Sequence, residues 1–445
     1  MPKKKTLRIA LLGLGTVGQG VWKHIRNNRK ALEARLGAGL ELYAAGVRDL
    51  KKKRRVSIPA SRMTTDLDGL AEDPRVDIFC ELMGGTGRAR ELTLKALRNG
   101  KIVVSANKAL ICEHGAELFE AARKGGGHFF FEASVAGGIP IIKTLYEGLV
   151  ANRFPLIFGI LNGTSNYILT RMEREGLSFE ETVGAARELG YVEADESLDL
   201  DGWDAAHKAV VLAFLAHGLW VPTKQLFVNG IRNVTTEDIE TARELGYKIK
   251  LIASIRRDFD SESLVVLVQP SLIPEKEIVA GVDDVFNAVS VSGDVVGTTV
   301  LIGRGAGQDA TASAVIGDIA DAVQLLVGQE AGTASVEAGS IYRPVATRDL
   351  SVAGKEAVRG RFYIRLTVED RPGVLAKIAD VMARNNVSLA TVHQHPREVD
   401  QAASLILTTH RTDLASVDKT LMALRRLKTV REQPVLLHIF EPETA

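Results

Sequence analysis

Asp204 and Lys208 stand four residues apart in Asp204-Ala-Ala-His-Lys208, a spacing that puts both on one face of a helix. In an arbitrary chain such a pair is a surface ion pair. Here Ala205, Ala206, Ala209, Val210 and Val211 surround it, so the helix is expected to be largely buried. Upstream lies a dense set of carboxylates, Glu193, Asp195, Glu196, Asp199 and Asp201. Such a set suits a substrate that carries an ammonium group. A buried lysine can supply the proton that a developing alkoxide needs when hydride is transferred to a carbonyl. His207 is an alternative donor, but it points off the Asp204/Lys208 face and is expected in a core or an interface.

Hydride chemistry needs a carrier, and the N-terminus offers a place for one. Gly13-Leu14-Gly15-Thr16-Val17-Gly18 follows the apolar run 7–12 and opens a stretch, residues 17–36, that reads as helix. In that context Gly13 permits a tight turn and Gly15 lets backbone approach a pyrophosphate. Gly18 lets helix and strand pack closely, with the anion over the helix N-terminus. The second expected strand, 40–47, ends in Arg48-Asp49-Leu50-Lys51-Lys52-Lys53-Arg54-Arg55. An acidic residue there would bind a ribose 2′-hydroxyl, whereas cations favour a 2′-phosphate. Asp49 is outnumbered, so NADP is expected over NAD, with Arg48 and Lys51 as contacts and most of the other charges solvated. Ser105-Ala-Asn107-Lys108 follows another expected strand, at the edge where α/β sheets place ligands. Ser105 is a coenzyme candidate, and Lys108 a candidate for coenzyme or substrate.

These residues need a scaffold. Strands at 7–12, 40–47, 77–82 and 102–105, a helix at 88–99 and a further strand at 129–132 form an alternating series. They imply an α/β fold with a Rossmann-type doubly wound parallel sheet over residues 1–138, completed by 303–345. Residues 139–302 read as an α+β substrate and dimerisation domain, with strands at 157–161 and 263–268 and helices at 179–189, 203–217 and 236–245. A helix at 311–326 follows a second Gly-rich turn. Residues 346–360 read as a linker, and 361–445 as a compact tail with strands at 362–368 and 403–408 and helices at 373–385 and 414–427.

Composition bounds the rest. The 445 residues are 46% hydrophobic and 25% charged, ordinary globular usage for two to four domains. Lys and Arg (56) balance Asp and Glu (55), so there is no global basic field for gripping nucleic acid. The two cysteines, Cys80 and Cys112, exclude a disulfide scaffold and suit a reducing cytosol. No run of 18 apolar residues occurs, so no membrane partner is expected, and a cytoplasmic location is.

With these residues in view, the chain resembles homoserine dehydrogenase in the form that carries a C-terminal ACT domain. Leu200-Asp-Gly-Trp-Asp-Ala-Ala-His-Lys208 and Leu161-Asn-Gly-Thr-Ser-Asn-Tyr-Ile-Leu169 carry the resemblance most specifically. Gly13 to Gly18, Ser105 to Lys108, Glu132 to Pro140 and Gly303-Arg-Gly-Ala-Gly307 support it in the same order. The resemblance implies NAD(P)-dependent interconversion of L-homoserine and L-aspartate 4-semialdehyde in threonine, methionine and isoleucine biosynthesis. It implies Lys208 as the catalytic proton donor, Asp204 and Glu193 as substrate ligands, and Lys108 beside nicotinamide and substrate. Gly190, Glu193, Gly305 and Gly307 would line the coenzyme. Glu132 with the backbone of Val135, Gly137 and Ile139 would hold a monovalent cation, sodium, for which an oxygen-only ligand set is suited. It also implies a homodimer or homotetramer.

The tail is similar to an ACT domain, of ferredoxin-like βαββαβ fold, through Glu369-Asp-Arg-Pro-Gly-Val-Leu-Ala-Lys-Ile-Ala-Asp380. L-threonine is the implied effector, with Asp370 or Asp380 near it; the alternative is a tail that serves only assembly. The family commonly has proline before Thr-Ala where this chain has Ala310. His393 and His395 have metal-site spacing but no third ligand nearby, so a surface strand is expected. Two other functions stay open on sequence alone. A phosphorylating semialdehyde dehydrogenase would need Cys80 or Cys112 as nucleophile. A non-catalytic amino-acid sensor would have a vestigial dinucleotide fold.

Overall fold

The computed structural model describes residues 5–190, 196–330, 349–396 and 402–442. The described residues divide into two compact units, one within 5–151, 210–220 and 301–330, the other within 152–190, 196–209, 221–300, 349–396 and 402–442.

The first unit is built on a six-stranded parallel sheet. Its order is Met63–Thr64, Gly39–Gly46, Thr6–Leu12, Ile78–Glu81, Ile102–Ser105 and His128–Phe130. The order reverses beside Thr6–Leu12, and the glycine turn sits at that switch point, where open α/β sheets bind ligands. Leu7, Ile9 and Leu11 are fully buried with Ile78, Cys80 and Val104 in one core. Helices cover the sheet: Thr16–Leu36, Gly87–Arg98, Lys108–Gly125 and Gln308–Glu330. Gln308–Glu330 adds Ala312, Val315, Ile319, Ala322 and Val323 to that core. Among the described residues it holds the one stretch long and apolar enough to cross a membrane by composition, Gln308–Gln329. The last strand is the three residues His128–Phe130, and Glu132–Ser134 forms a 3-10 turn. This differs from the strand expected at 129–132, because Glu132 is tied into a turn by hydrogen bonds rather than into the sheet.

The second unit holds a mixed sheet. Gly297–Arg304, of which residues 297–300 belong to this unit, is at one edge, followed by Phe286–Gly293, Leu156–Ile160, Tyr247–Asp258 and Ser263–Pro274. The strand expected at 263–268 runs on to Pro274, paired antiparallel along its whole length with Tyr247–Asp258. The sheet does not stop there. Val435–Ile439 pairs with Ser271 and Leu272 on one side and with Arg359–Glu369 on the other. Ala402–Thr409 and then Leu389–Pro396 complete it. Those last four strands, with helices Val374–Arg384 and Leu414–Leu424, make a βαββαβ unit of antiparallel order 4-1-3-2.

The linker expected at 346–360 is tethered in its described part. Ser351–Val352 pairs with Ser263 and Leu264, and Val358 is buried in a core that joins Val265 and Leu267 to Ile364, Ile378 and Leu421. His393 and His395 are exposed on the edge strand Leu389–Pro396.

His438 lies on the joining strand, 7% exposed between the rings of Phe362 and Phe440. Burial, and then the charge of Arg256, push its imidazole down to about 4. The unfolded chain therefore takes up a proton near pH 6.5 that the folded chain refuses until about pH 4. Stability is complete above the unfolded value and is lost as pH falls through this window, to a ceiling of about 3 kcal/mol. Replacing His438 by Leu should flatten the loss of stability between these two values in urea titrations. An unchanged acid limb would contradict this origin.

Candidate active site

In the first unit the glycine turn is shaped by what a side chain would hit. Gly13 has φ of +102°, and a Cβ on it would stand 2.5 Å from the Leu82 carbonyl oxygen. A Cβ on Gly18 would stand 2.0 Å from the Gly13 carbonyl oxygen, whereas nothing lies within 4 Å of one on Gly15. Gly15 is the N-cap of Thr16–Leu36, and no side chain caps that helix. Its first N–H groups are thus suited to an anion. A cavity of about 370 Å³ opens against Gly13, Leu14 and Gly15, with Arg48, Lys52 and Arg54 on its wall. A dinucleotide phosphate backbone fits this cradle, because any β-carbon at Gly13 or Gly18 would collide with main chain. Thr16 is exposed and Val17 half-buried at the helix start.

The basic loop differs in detail from expectation. Lys51 is exposed and stands outside the cavity wall, where Lys52 and Arg54 stand instead, together with Arg88. The reason is local. The Asp49 carboxylate accepts the Lys51 N–H at 2.8 Å, and this turn aims successive side chains apart. Arg54 donates to the Asp49 carbonyl at 2.7 Å, which folds the loop back.

Ser105 is fully buried. Its hydroxyl donates to Glu81 Oε2 at 2.9 Å and accepts from the Asn107 N–H at 3.1 Å. It therefore presents no surface to a coenzyme and acts on the loop geometry instead. Glu81, also fully buried, accepts from the N–H of Met83 at 2.8 Å. Burial pushes its carboxyl above the usual range. Asn107 caps the helix Lys108–Gly125 through Leu110 N–H at 3.2 Å and donates to the Gly85 carbonyl at 2.8 Å. Lys108 is the first, half-buried residue of that helix. A cation at a helix N-terminus opposes the macrodipole, so the position favours a bound anion rather than stability.

The turn after Phe131 holds Glu132, 3% exposed, with its two carboxylate oxygens accepting from the N–H of Ile142 and of Lys143, each at 2.9 Å. Burial pushes its carboxyl up to about 7. Asp318, fully buried, accepts the Glu132 N–H through Oδ2 at 2.9 Å, while its Oδ1 has no hydrogen-bond partner. Val135 is extended, and Ala136 and Gly137 follow with φ of +52° and +50°. A left-handed alanine is strained. The Ile139 carbonyl accepts from Ile141 N–H at 2.8 Å. Two buried carboxyls with one orphaned oxygen beside a strained turn suit a hard cation. The second glycine turn meets this loop: a Cβ on Gly137 would stand 2.5 Å from the Gly305 carbonyl. Gly307, φ +116°, opens Gln308–Glu330, its carbonyl accepting Thr311 N–H at 3.0 Å.

In the second unit, Lys208 is 7% exposed and Asp204 6%. The Lys208 ammonium donates to the Leu161 carbonyl at 2.6 Å and to Asp204 Oδ2 at 2.7 Å. Asn162 completes the cluster. Its Oδ1 caps the helix Gly163–Glu175 through Ser165 N–H at 2.7 Å, and its Nδ2 donates to Asp199 at 2.7 Å and to Asp204 at 2.8 Å. One amide thus fixes a helix start and bridges two carboxylates. In the sequence Asn162 stands out only as part of the motif Leu161–Leu169. Its position directly before Gly163-Thr-Ser, an N-cap pattern, was the available signal. His207 is half-buried. Gly190 is a left-handed turn after Phe179–Glu188, φ +75°. Glu193 and Asp195 lie outside the described residues.

A cysteine nucleophile is disfavoured. Cys80 is fully buried, and burial pushes its thiol far up. Burial pushes that of Cys112 up to about 12. Neither offers a thiolate near neutral pH.

Comparison with known proteins bears on both clusters. A family model described as homoserine dehydrogenase matches residues 140–320, one described as the homoserine dehydrogenase NAD binding domain matches 13–132, and an ACT domain model matches 362–429. The homoserine dehydrogenase of Pseudomonas aeruginosa is 37% identical over 98% of this chain and 99% of its own. A crystal structure of a homoserine dehydrogenase from Thiobacillus denitrificans superposes with a TM-score of 0.90 at 38% identity, covering 99% of this chain and 100% of that one. A hyperthermophilic archaeal homoserine dehydrogenase in complex with NADPH superposes with a TM-score of 0.60 at 25% identity, over 71% of this chain and 97% of that one.

Asn162 can be tested apart from its capping role. In Asn162→Asp the cap acceptor remains, but a third carboxylate replaces the bridging amide between Asp199 and Asp204. The helix should survive, and turnover should fall by about 100-fold, on the scale of a displaced catalytic group. A steady-state assay with near-normal kcat/KM would refute the bridging role.

Proposed function

The chain belongs to the homoserine dehydrogenase family of oxidoreductases, and from that premise we propose that Lys208 is the proton donor in its interconversion of L-homoserine and L-aspartate 4-semialdehyde. The observation that carries this reading is the ammonium held, almost without solvent, by Leu161 O and Asp204. Two fixed acceptors leave a tetrahedral ammonium one direction for its third N–H. In the reducing direction Lys208 gives a proton to the oxygen that gains negative charge. In the oxidising direction the neutral amine takes the hydroxyl proton. Asp204 orients the Lys208 ammonium and binds substrate, and the negative field of Asp199 and Asp204 favours a substrate ammonium, with Glu193 as its direct partner.

The coenzyme, when bound, supplies or accepts hydride. Gly13, Gly15 and Gly18 would admit its pyrophosphate, and Lys108 would meet an anionic group at its helix start. We favour NADP over NAD. Arg48, Lys52 and Arg54 line one cavity wall, and the NADPH in the archaeal relative agrees with that choice. Glu132, Val135, Gly137 and Ile139 would hold a monovalent cation, sodium, whose charge would offset the buried Glu132 and Asp318.

The ACT tail would bind L-threonine as feedback effector, placing the enzyme in threonine, methionine and isoleucine biosynthesis in the cytoplasm. A homodimer or homotetramer is supported by the edge strand Gly297–Arg304, where Ile302 is 52% exposed and the adjoining Val295 and Val296 are 71% and 55% exposed. Sheet edges with exposed apolar side chains pair readily.

The deciding experiment follows reduced nicotinamide by absorbance, with L-homoserine and each coenzyme in turn, with and without threonine. Lys208→Met should lower kcat by about 1,000-fold, while NADPH fluorescence titration stays near wild type and circular dichroism shows a folded chain. Normal turnover in that variant would remove Lys208 from its role. Equal kcat/KM with both coenzymes would remove the preference for NADP.

A further inference from the structure

Arg365 lies on the ACT strand Arg359–Glu369 and is 5% exposed. Its side chain points at the substrate-binding part of the same unit. It donates to Asp238 through Nε at 2.7 Å and through Nη2 at 3.1 Å, and Nη2 also reaches the Asn233 carbonyl at 3.2 Å. Tyr363, fully buried, adds its hydroxyl to Asp238 at 2.8 Å. Asp238 is itself fully buried and accepts as well from Thr235 N–H at 2.9 Å and Thr235 hydroxyl at 3.0 Å. A carboxylate satisfied by that many donors tolerates one geometry only. Two residues of the ACT strand therefore pin both Asn233 and the start of the helix Thr236–Glu244.

The pinned segment leads to the substrate cluster. The Ile231 N–H donates to the Leu200 carbonyl at 2.8 Å. A Cβ on Gly230 would stand 2.0 Å from that same oxygen and 2.4 Å from Asp201 Cα. The two backbones touch with no side chain between them to yield, so a shift in one is passed to the other. Arg232 donates to Asp201 at 2.5 Å and to Glu196 at 3.4 Å. Between Glu196 and Leu200 stands Asp199, whose carbonyl accepts from the Ser165 hydroxyl at 2.8 Å and whose carboxylate accepts from Asn162 at 2.7 Å. Asn162 holds Asp204, and Asp204 holds Lys208.

We propose that Arg365 and Tyr363 of the ACT domain are positioning residues for the homoserine site, acting through residues 229–234 and the turn at 196–201 on the Asn162, Asp204 and Lys208 cluster. Neither touches substrate. Each holds the segment that fixes where Asp199 and Asn162 stand. The proposal rests on the reading of Lys208 and Asp204 given above. It places the domain's influence on substrate binding rather than on the glycine turn Gly13–Gly18.

The test uses the full-length enzyme with four variants: Tyr363→Phe, Arg365→Lys, Arg365→Gln and Lys208→Met. Tyr363→Phe deletes a single donor. It should raise the KM for L-homoserine about threefold, and Arg365→Gln about tenfold or more, within the range seen when a coupling network is cut. The KM for the coenzyme should stay unchanged in both, and Arg365→Lys should restore part of the homoserine affinity. Unchanged homoserine kinetics in folded Tyr363→Phe and Arg365→Lys would overturn the proposal. So would an equal rise in both KM values, or an Arg365→Lys no better than Arg365→Gln. If Arg365→Gln fails to fold, the other two decide. An active Lys208→Met would refute the proton-donor reading and would leave the Tyr363 and Arg365 result to be judged by the KM split alone.

Discussion

A lysine ammonium kept nearly out of water is the constraint on which the rest turns. Removing such a charge from solvent costs several kcal/mol unless close, well-aligned partners compensate. Lys208 meets that cost with one carboxylate and one backbone carbonyl. The carboxylate, Asp204, is itself buried and needs the Asn162 amide. The carbonyl, Leu161 O, is held because the next residue caps a helix. A buried ion pair of this kind is weak evidence for stability in itself.

The same trade recurs elsewhere. Thr16–Leu36 begins without a side-chain cap, Lys108 opposes the dipole of its own helix, Ala136 is forced left-handed, and Asp318 is buried with an orphaned oxygen. Each is unfavourable in isolation. Strain and unsatisfied polarity collect where ligands complete the structure.

The ACT domain is joined more tightly than a tethered regulatory module. Val435–Ile439 pairs with strands of both parts, and one core runs from Val265 to Leu421. The only buried guanidinium-carboxylate contact across this seam among the described residues, Arg365 with Asp238, is placed on the segment that reaches Leu200. A continuous sheet transmits displacement as a rigid element, because shifting one strand breaks a ladder of hydrogen bonds rather than a single contact.

Local pattern alone carried a good deal. The spacing of Asp204 and Lys208 among small apolar residues determined a shared, buried helix face. Glycines between an apolar run and a helix determined the dinucleotide turn, because only a missing β-carbon fits there. The resemblance placed the ACT fold, and the βαββαβ order bears it out. Other features were decided only in three dimensions. Asn162 became the bridge between Asp199 and Asp204 through contacts 37 and 42 residues away in sequence. Ser105 turned inward to Glu81, and Lys52 rather than Lys51 reached the cavity wall. The tail merged with the middle sheet through a strand that local propensity describes equally well as free. Periodicity and turn chemistry are written residue by residue. Which buried donor meets which acceptor depends on chain segments far apart, and only the folded packing brings them together.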